Sequence, residues 1–409
     1  MSVKPILGLI AATAIGLTAA TASADIVKIG LLAPLTGPNA GDGQDFVRGV
    51  ELAIKEANAR GGVAGNTFEL VTADTKDASA AAVSTATERL LGTDGVEFIV
   101  TGYASLSMFE VELMAEENMP YLATGPSPAF AAIVSKDPDA YNCCWSFTAD
   151  YKGYETALTP MIEALAGQGM FDLRDKTVAM ISSDNAYSNT IALGMKEAFT
   201  DAGWTITVDE LVPFGAVSDW RPILAKVREN PPTLVVNTDF LPANSALFVN
   251  QFQESPTDSV LFLQYAPLVP EFVNLTGEKS NGVLFNAIGV PLANNWPRGS
   301  EVIELYATEY NAAPSGPYGP MLYDMVVQYF MALEEVGDPT DREAIGKAMG
   351  ANSRAVASGM LEFDPTTHVA LQSLDHMPVV FFQLQDGKGV VIGPERYKGG
   401  DFITPAWMQ

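Results

Sequence analysis

Short β-branched runs and runs with helical periodicity take turns along most of this chain. IVKIGLLAP, starting at Ile26, reads as a strand, and residues 44–60 set Val47, Val50, Ile54 and Ala57 on one helical face before Gly61-Gly62 ends the pattern. FELVTAD follows as a strand, then an alanine-rich helix over 78–92, the strand VEFIV, a helix over 106–117 and the strand MPYLAT. Strands alternating with helices of this length imply right-handed βαβ crossovers and a parallel sheet.

The pattern restarts at KTVAMISSD. A helix over 187–202, the strand WTITVDELV, a helix over 219–229, the strand TLVVNTD, a helix over 243–254 and the strand SVLFLQY make a second α/β unit. Beyond about Gly289 come a helix over 299–312, the loop AAPSGPYGP, a helix over 321–336 and a hairpin-like FFQLQDGKGVVI. That tail has too few strands to stand alone and should complete one or both sheets. The expected fold class is α/β, with two doubly wound parallel-sheet domains in series.

The extreme N-terminus does not belong to this pattern. Lys4 precedes an apolar stretch from Ile6 to Ala20 and the small-residue sequence Ala22-Ser23-Ala24, the form of a secretory signal peptide with an A-x-A cleavage site. Residues 1–24 are therefore expected to be removed near Ala24, leaving a soluble periplasmic chain that begins near Asp25. No cysteine near that site would take a lipid, and no later stretch reaches the ~18 uninterrupted apolar residues of a membrane span.

Composition narrows the function. The chain is 48% hydrophobic and 18% charged, long enough for two cores, and its formal net charge of −26 becomes one unit more negative once Lys4 leaves with the leader. So acidic a surface repels nucleic acid and anionic lipid, so no nucleic-acid partner is expected; it favours solubility and can draw in a cationic ligand. The two cysteines, adjacent in NCCW at Cys143 and Cys144, allow either a vicinal bridge or two buried thiols. With His368 and His376 the only histidines and no CxxC, neither a metal nor a cofactor site is expected.

LTGPNAGDGQDF, between the first strand and its helix, has the geometry of an anion-binding loop but not the chemistry. No Gly-Lys-Ser/Thr follows, Asp42 and Asp45 would repel a phosphate, and Gly41-x-Gly43 does not complete a dinucleotide fingerprint. What remains is a flexible rim at the C-terminal edge of a parallel sheet, where open α/β sheets take small molecules.

PLTGPNAGDGQDFVRGVELAIKEANARGGVAG, FELVTAD, VEFIVTGYAS, MPYLATGPSP, VAMISSDNAYS and PSGPYGPMLYDMVVQYFMALEEVG, in that order and spacing, resemble the periplasmic leucine/isoleucine/valine-binding proteins, the type I solute-binding proteins of ABC importers. The resemblance spans nearly all of the mature chain. It implies two lobes joined by three crossing strands near residues 147, 289 and 358. The N-terminal lobe would then be 25–147 plus 290–358 and the C-terminal lobe 148–289 plus 359–409. It also implies a small-molecule solute held between the lobes, an ABC transporter permease as partner, and a monomer.

Carried over residue by residue, the resemblance implies that hydroxyls and main-chain N–H groups of GYAS and TGPS hold a ligand carboxylate. The residues concerned are Tyr103, Ala104, Ser105 and Ser107, then Thr124 and Ser127. Tyr187 in SSDNAYS matches a tyrosine that faces the cleft, and Asp239, ending TLVVNTD, could pair with an ammonium group. Two departures stand out: Asp42 occupies the place of a bulky aromatic residue, and LQYAP, around Tyr265 and Ala266, lacks the family's glutamate. They point away from a branched aliphatic amino acid and toward a polar or cationic amino compound. Tyr103, Tyr187, Tyr265 and Trp145 could equally line a site for an amide, urea or aromatic acid.

A hydrolase built on Ser105 would need a base within reach, yet both histidines lie in the C-terminal tail and no serine sits in a G-x-S-x-G elbow. Binding for import is therefore expected rather than catalysis. A ligand-sensing subunit of a signalling receptor is the alternative on the same fold.

Overall fold

The computed structural model describes residues 25–37, 39–105, 107–124, 128–314 and 316–409; the leader and Ser127 lie outside them. The first unit runs β1 (Asp25–Ala33), α1 (Ala40–Ala59), β2 (Asn66–Asp74), α2 (Ala80–Arg89), β3 (Phe98–Thr101), α3 (Glu110–Glu116), β4 (Tyr121–Ala123), α4 (Pro128–Val134) and β5 (Cys144–Ser146). The second runs α5 (Lys152–Gly167), β6 (Thr177–Ser183), α6 (Ala186–Asp201), β7 (Thr205–Val212), α7 (Arg221–Glu229), β8 (Leu234–Asn237), α8 (Pro242–Phe252), β9 (Val260–Leu263), α9 (Pro270–Thr276) and β10 (Leu284–Ala287). Three helices follow, α10 (Pro297–Tyr310), α11 (Tyr318–Val336) and α12 (Arg342–Ala351). A short pair, β11 (Arg354–Val356) and β12 (Gly359–Leu361), and a hairpin, β13 (Val380–Gln385) and β14 (Lys388–Gly393), complete the strands among the described residues.

The first sheet has the order β2-β1-β3-β4-β5 and is parallel throughout. In the second, β7-β6-β8-β9-β10 repeat that parallel order, and the tail hairpin extends the β10 edge with antiparallel β13 and β14. Each sheet is covered on both faces, as continuous apolar strands require. Phe46, Val50 and Ile54 of α1 pack with Leu322, Tyr329 and Leu333 of α11 on one side of the first sheet, and Val83, Val111 and Phe130 from α2, α3 and α4 fill the other. On the second sheet, Leu158 and Ile191 of α5 and α6 oppose Leu224, Phe248 and Phe272 of α7, α8 and α9.

Two sequence expectations shift. Helix α1 begins at Ala40, so Gly41 and Gly43 belong to its first turn rather than to a loop. A Cβ on Gly43 would stand 2.2 Å from the carbonyl oxygen of Pro34, so this glycine serves the close approach of the helix to the chain leaving β1. The second shift concerns the tail. Leu361, Phe363, Ala370 and Met377 pack into the first lobe's core, and Ser146 pairs in parallel with Val369. The chain re-enters the second sheet at β13, beginning at Val380. Of the two cysteine alternatives, the structure has the vicinal bridge: Cys143 and Cys144 are bonded to each other and buried at the start of β5.

Candidate functional site

In each sheet the strand order reverses between its first and third strands, at β1/β3 and at β6/β8, and a crevice opens beyond the C-terminal ends at such a point. Residues following β1, β2 and β3 and residues following β6, β7, β8 and β9 line one shared cleft. Its outer chamber measures about 1110 Å³ and an inner one, toward the crossing strands at Thr148 and Ile288, about 500 Å³, open solvent included in both. Tyr151, Tyr187, Tyr265 and Tyr318 wall both chambers.

Asp42, in the first turn of α1, stands at the centre. One of its carboxylate oxygens, Oδ2, accepts hydrogen bonds from the phenols of Tyr103 and Tyr265, each at 2.9 Å. Tyr103 follows β3 in the first lobe and Tyr265 follows β9 in the second, so this carboxylate ties the lobes together. Burial pushes the Asp42 pKa up to about 6 against the pull of the two phenols, and neighbouring Asp45 adds to the rise. Burial raises both phenols well above their usual range, so they remain protonated donors.

Tyr265 reaches Asp42 from a strained backbone. Its φ of 65° and ψ of −55°, with Ala266 N–H donating to the Gln264 carbonyl at 2.8 Å, form a tight γ-turn that a β-carbon disfavours. Across the cleft, Tyr187 stands edge-on to Phe240 at 5.5 Å and to Tyr151 at 5.2 Å, and its hydroxyl accepts from Gln264 Nε2 at 3.1 Å. Tyr103 and Tyr318 meet edge-on at 5.7 Å, both braced by Phe46. Phe214, about half exposed, stacks on Phe240 at the mouth.

The structure brings most of the expected residues together. Asp42, Tyr103, Ala104, Ser105, Tyr187 and Tyr265 line the outer chamber, and Thr124 lines the inner one. Ser105 is already engaged: its N–H donates to Glu110 Oε1 at 3.2 Å and its hydroxyl donates to Glu110 Oε2, with Ser107 Oγ 3.3 Å away. Glu110 is fully buried, and that burial raises its pKa. The Thr124 hydroxyl likewise donates inward, to the Gly102 carbonyl.

Asp239 departs from expectation. Its carboxylate turns away from the cleft and accepts from Leu241 N–H and Asn244 Nδ2, each at 2.9 Å, at the start of α8. The buried residue thus steadies a helix, and Phe240 and Pro242 reach the cleft in its place. Trp145 is also elsewhere. It stacks on His368 at 3.8 Å within the first lobe, with Nε1 donating to the carbonyls of Asn142 and Gly346.

Sequence reasoning missed Tyr151, Tyr154, Phe214, Phe240 and Tyr318 as cleft residues. Tyr318 carried a signal, since it stands between two prolines and two glycines in GPYGP, a stretch whose composition reads as a loop and where a large aromatic side chain invites a functional reading. The others follow strands or begin a helix without any local mark.

Two parallel-sheet lobes, three chain crossings and a cleft walled from both sides define the class of two-lobed solute-binding proteins. Within it, the chain belongs to the periplasmic binding protein family, whose model matches residues 26–388. It is 27% identical to the leucine-, isoleucine-, valine-, threonine- and alanine-binding protein of Pseudomonas aeruginosa, over 87% of this chain and 91% of that one. It is 26% identical to Leu/Ile/Val-binding protein homolog 8 of Brucella suis, over 93% and 94% of the two chains. Among solved structures it is similar to a provisionally assigned branched-chain amino acid ABC transporter protein from Silicibacter pomeroyi, with a TM-score of 0.85, 29% identity, and 94% of this chain and 100% of that one covered. Among the described residues, no helix is long and apolar enough to cross a membrane.

Proposed function

We propose that this protein captures a small amino acid or related amino-bearing solute in the interlobe cleft and hands it to an ABC permease. It would act as a monomer in the periplasm after loss of residues 1–24, without catalysing a reaction. The observation that carries the reading is the Tyr103–Asp42–Tyr265 bridge, in which groups from both lobes converge on one carboxylate inside a tyrosine-walled cavity. A solute seated there touches both lobes at once, so its binding energy favours the closed arrangement. The names of the relatives in Pseudomonas and Brucella support an amino acid as the solute class.

A thermal-shift screen over amino acids, amides, urea, polyamines and aromatic acids tests this. At a hundredfold excess over the dissociation constant the true solute should add ~2.7 kcal/mol of stability. A panel that leaves the transition unmoved throughout would remove the capture reading. The sensing alternative predicts the same shift but a different partner, and co-purification of a permease rather than a receptor kinase decides between them.

A further inference from the structure

The charge census of the cleft is one-sided. Asp42, Asp77 and Glu271 line the outer chamber, and among the described residues no lysine, arginine or histidine lines either chamber. A free carboxylate would enter this field with only neutral donors to hold it, and two of the hydroxyls in position for that task are turned inward, Ser105 to Glu110 and Thr124 to the Gly102 carbonyl. Charge–charge repulsion falls off slowly inside a low-dielectric cleft, so three acids against no base is a strong bias.

The walls favour the opposite ion. Tyr103, Tyr187, Tyr265, Tyr318 and Phe240 line the chamber with Asp42, Tyr103 edge-on to Tyr318 and Tyr187 edge-on to Phe240. Ring faces carry partial negative charge and attract an ammonium group, most strongly where water is excluded. Asp42 is positioned to complete such a cage: its two phenol bonds both fall on Oδ2.

We infer that the cleft selects its solute by an ammonium group seated between Asp42 and the tyrosine cage, and that the solute need carry no carboxylate. This rests on the capture reading above and makes the ammonium group, rather than the amino-acid carboxylate, the feature that is recognised. The ligand class is a primary or methylated aliphatic amine of a size that the outer chamber encloses.

Isothermal titration of the full mature chain at pH 7.5 and low salt tests the point with probes that share one skeleton. These are 3-methylbutylamine with the ammonium alone, leucine with both groups, and 4-methylpentanoate with the carboxylate alone; putrescine and choline extend the cations. At least one carboxylate-free cation should bind no more weakly than leucine, and 4-methylpentanoate should not bind. Asp42→Asn should weaken that cation by about 100-fold, the usual scale for removing a buried countercharge. Leucine or 4-methylpentanoate binding more than tenfold tighter than every cation would overturn the inference while leaving solute capture standing. So would binding confined to amides or aromatic acids. If no compound of any charge binds, capture in this cleft falls with it. The wild-type series decides the matter even if Asp42→Asn does not fold.

Discussion

Asp42 concentrates the chemistry of this protein in one side chain. Its carboxylate sits where desolvation outweighs two phenol hydrogen bonds, so its pKa stands at about 6 rather than 3.8. A carboxyl that holds its proton more tightly in the folded state contributes stability fully below its unfolded pKa and loses it as pH rises toward the folded one. The solute-free protein should therefore lose on the order of 2 kcal/mol from this group between pH 4 and pH 6.5. Asp42→Asn should melt higher than wild type at pH 7.5 and no differently at pH 4, and parallel melting profiles across that range would contradict the assignment. Binding of a cation runs the other way, weakening as pH falls below about 6, because only the ionised carboxylate pairs with it. Asp42 was legible in the sequence as a departure from the family pattern. The strained backbone of Tyr265, with its φ of 65°, was not, because nothing about a tyrosine between glutamine and alanine announces a positive φ.

At the scale of elements, the chain's alternation translated well into strands and helices, with boundaries displaced where tertiary contacts overrode local signals. Helix α1 extends through Gly41 and Gly43, the second of which allows its close approach to the Pro34 carbonyl, and α5 forms across an internal proline, Pro160, whose local preference is to break a helix. Long-range ties of this kind hold α11 as well. Asp324, almost wholly buried on that helix, accepts from Arg298 and Arg354 at 3.1 Å each and from Ala357 N–H at 2.6 Å, fastening α11 to α10 and to the tail after β11. Asp324→Ala strands a largely buried guanidinium, and chemical denaturation should show a loss of about 3–5 kcal/mol. A loss below 1 kcal/mol would mean that the tail is held by apolar packing alone. No periodicity in the sequence pairs Asp324 with Arg354, because their contact depends on where the tail is laid down, not on the pattern of either segment.

For the molecule as a whole, the cleft exists only because two sheets of the same strand order present their C-terminal edges to one another. Phenol and carboxylate then meet across the gap between residues 42 and 265. Since that contact ties the lobes, Tyr265→Phe measured without added solute should shift the protein toward more open arrangements. Small-angle scattering should then give a larger radius of gyration than wild type, with the difference removed by a saturating solute. Superimposable curves from the two proteins would show that the phenol bridge has no part in closure. By itself, the periodicity of the sequence determined that there would be two doubly wound α/β units, while Asp42, Tyr103, Tyr187 and Tyr265 were singled out by the resemblance to solute-binding proteins. The two units follow from local periodicity alone, because apolar spacing is set residue by residue along the chain. Only the tertiary structure decided that Asp239 turns into α8, that Ser105 is held by Glu110, that Leu361, Phe363, Ala370 and Met377 pack into the first lobe's core, and that Tyr151, Tyr318 and Phe240 join the wall. Each of these is a contact between segments far apart along the chain or a choice of side-chain direction, and neither is encoded in the spacing of apolar residues.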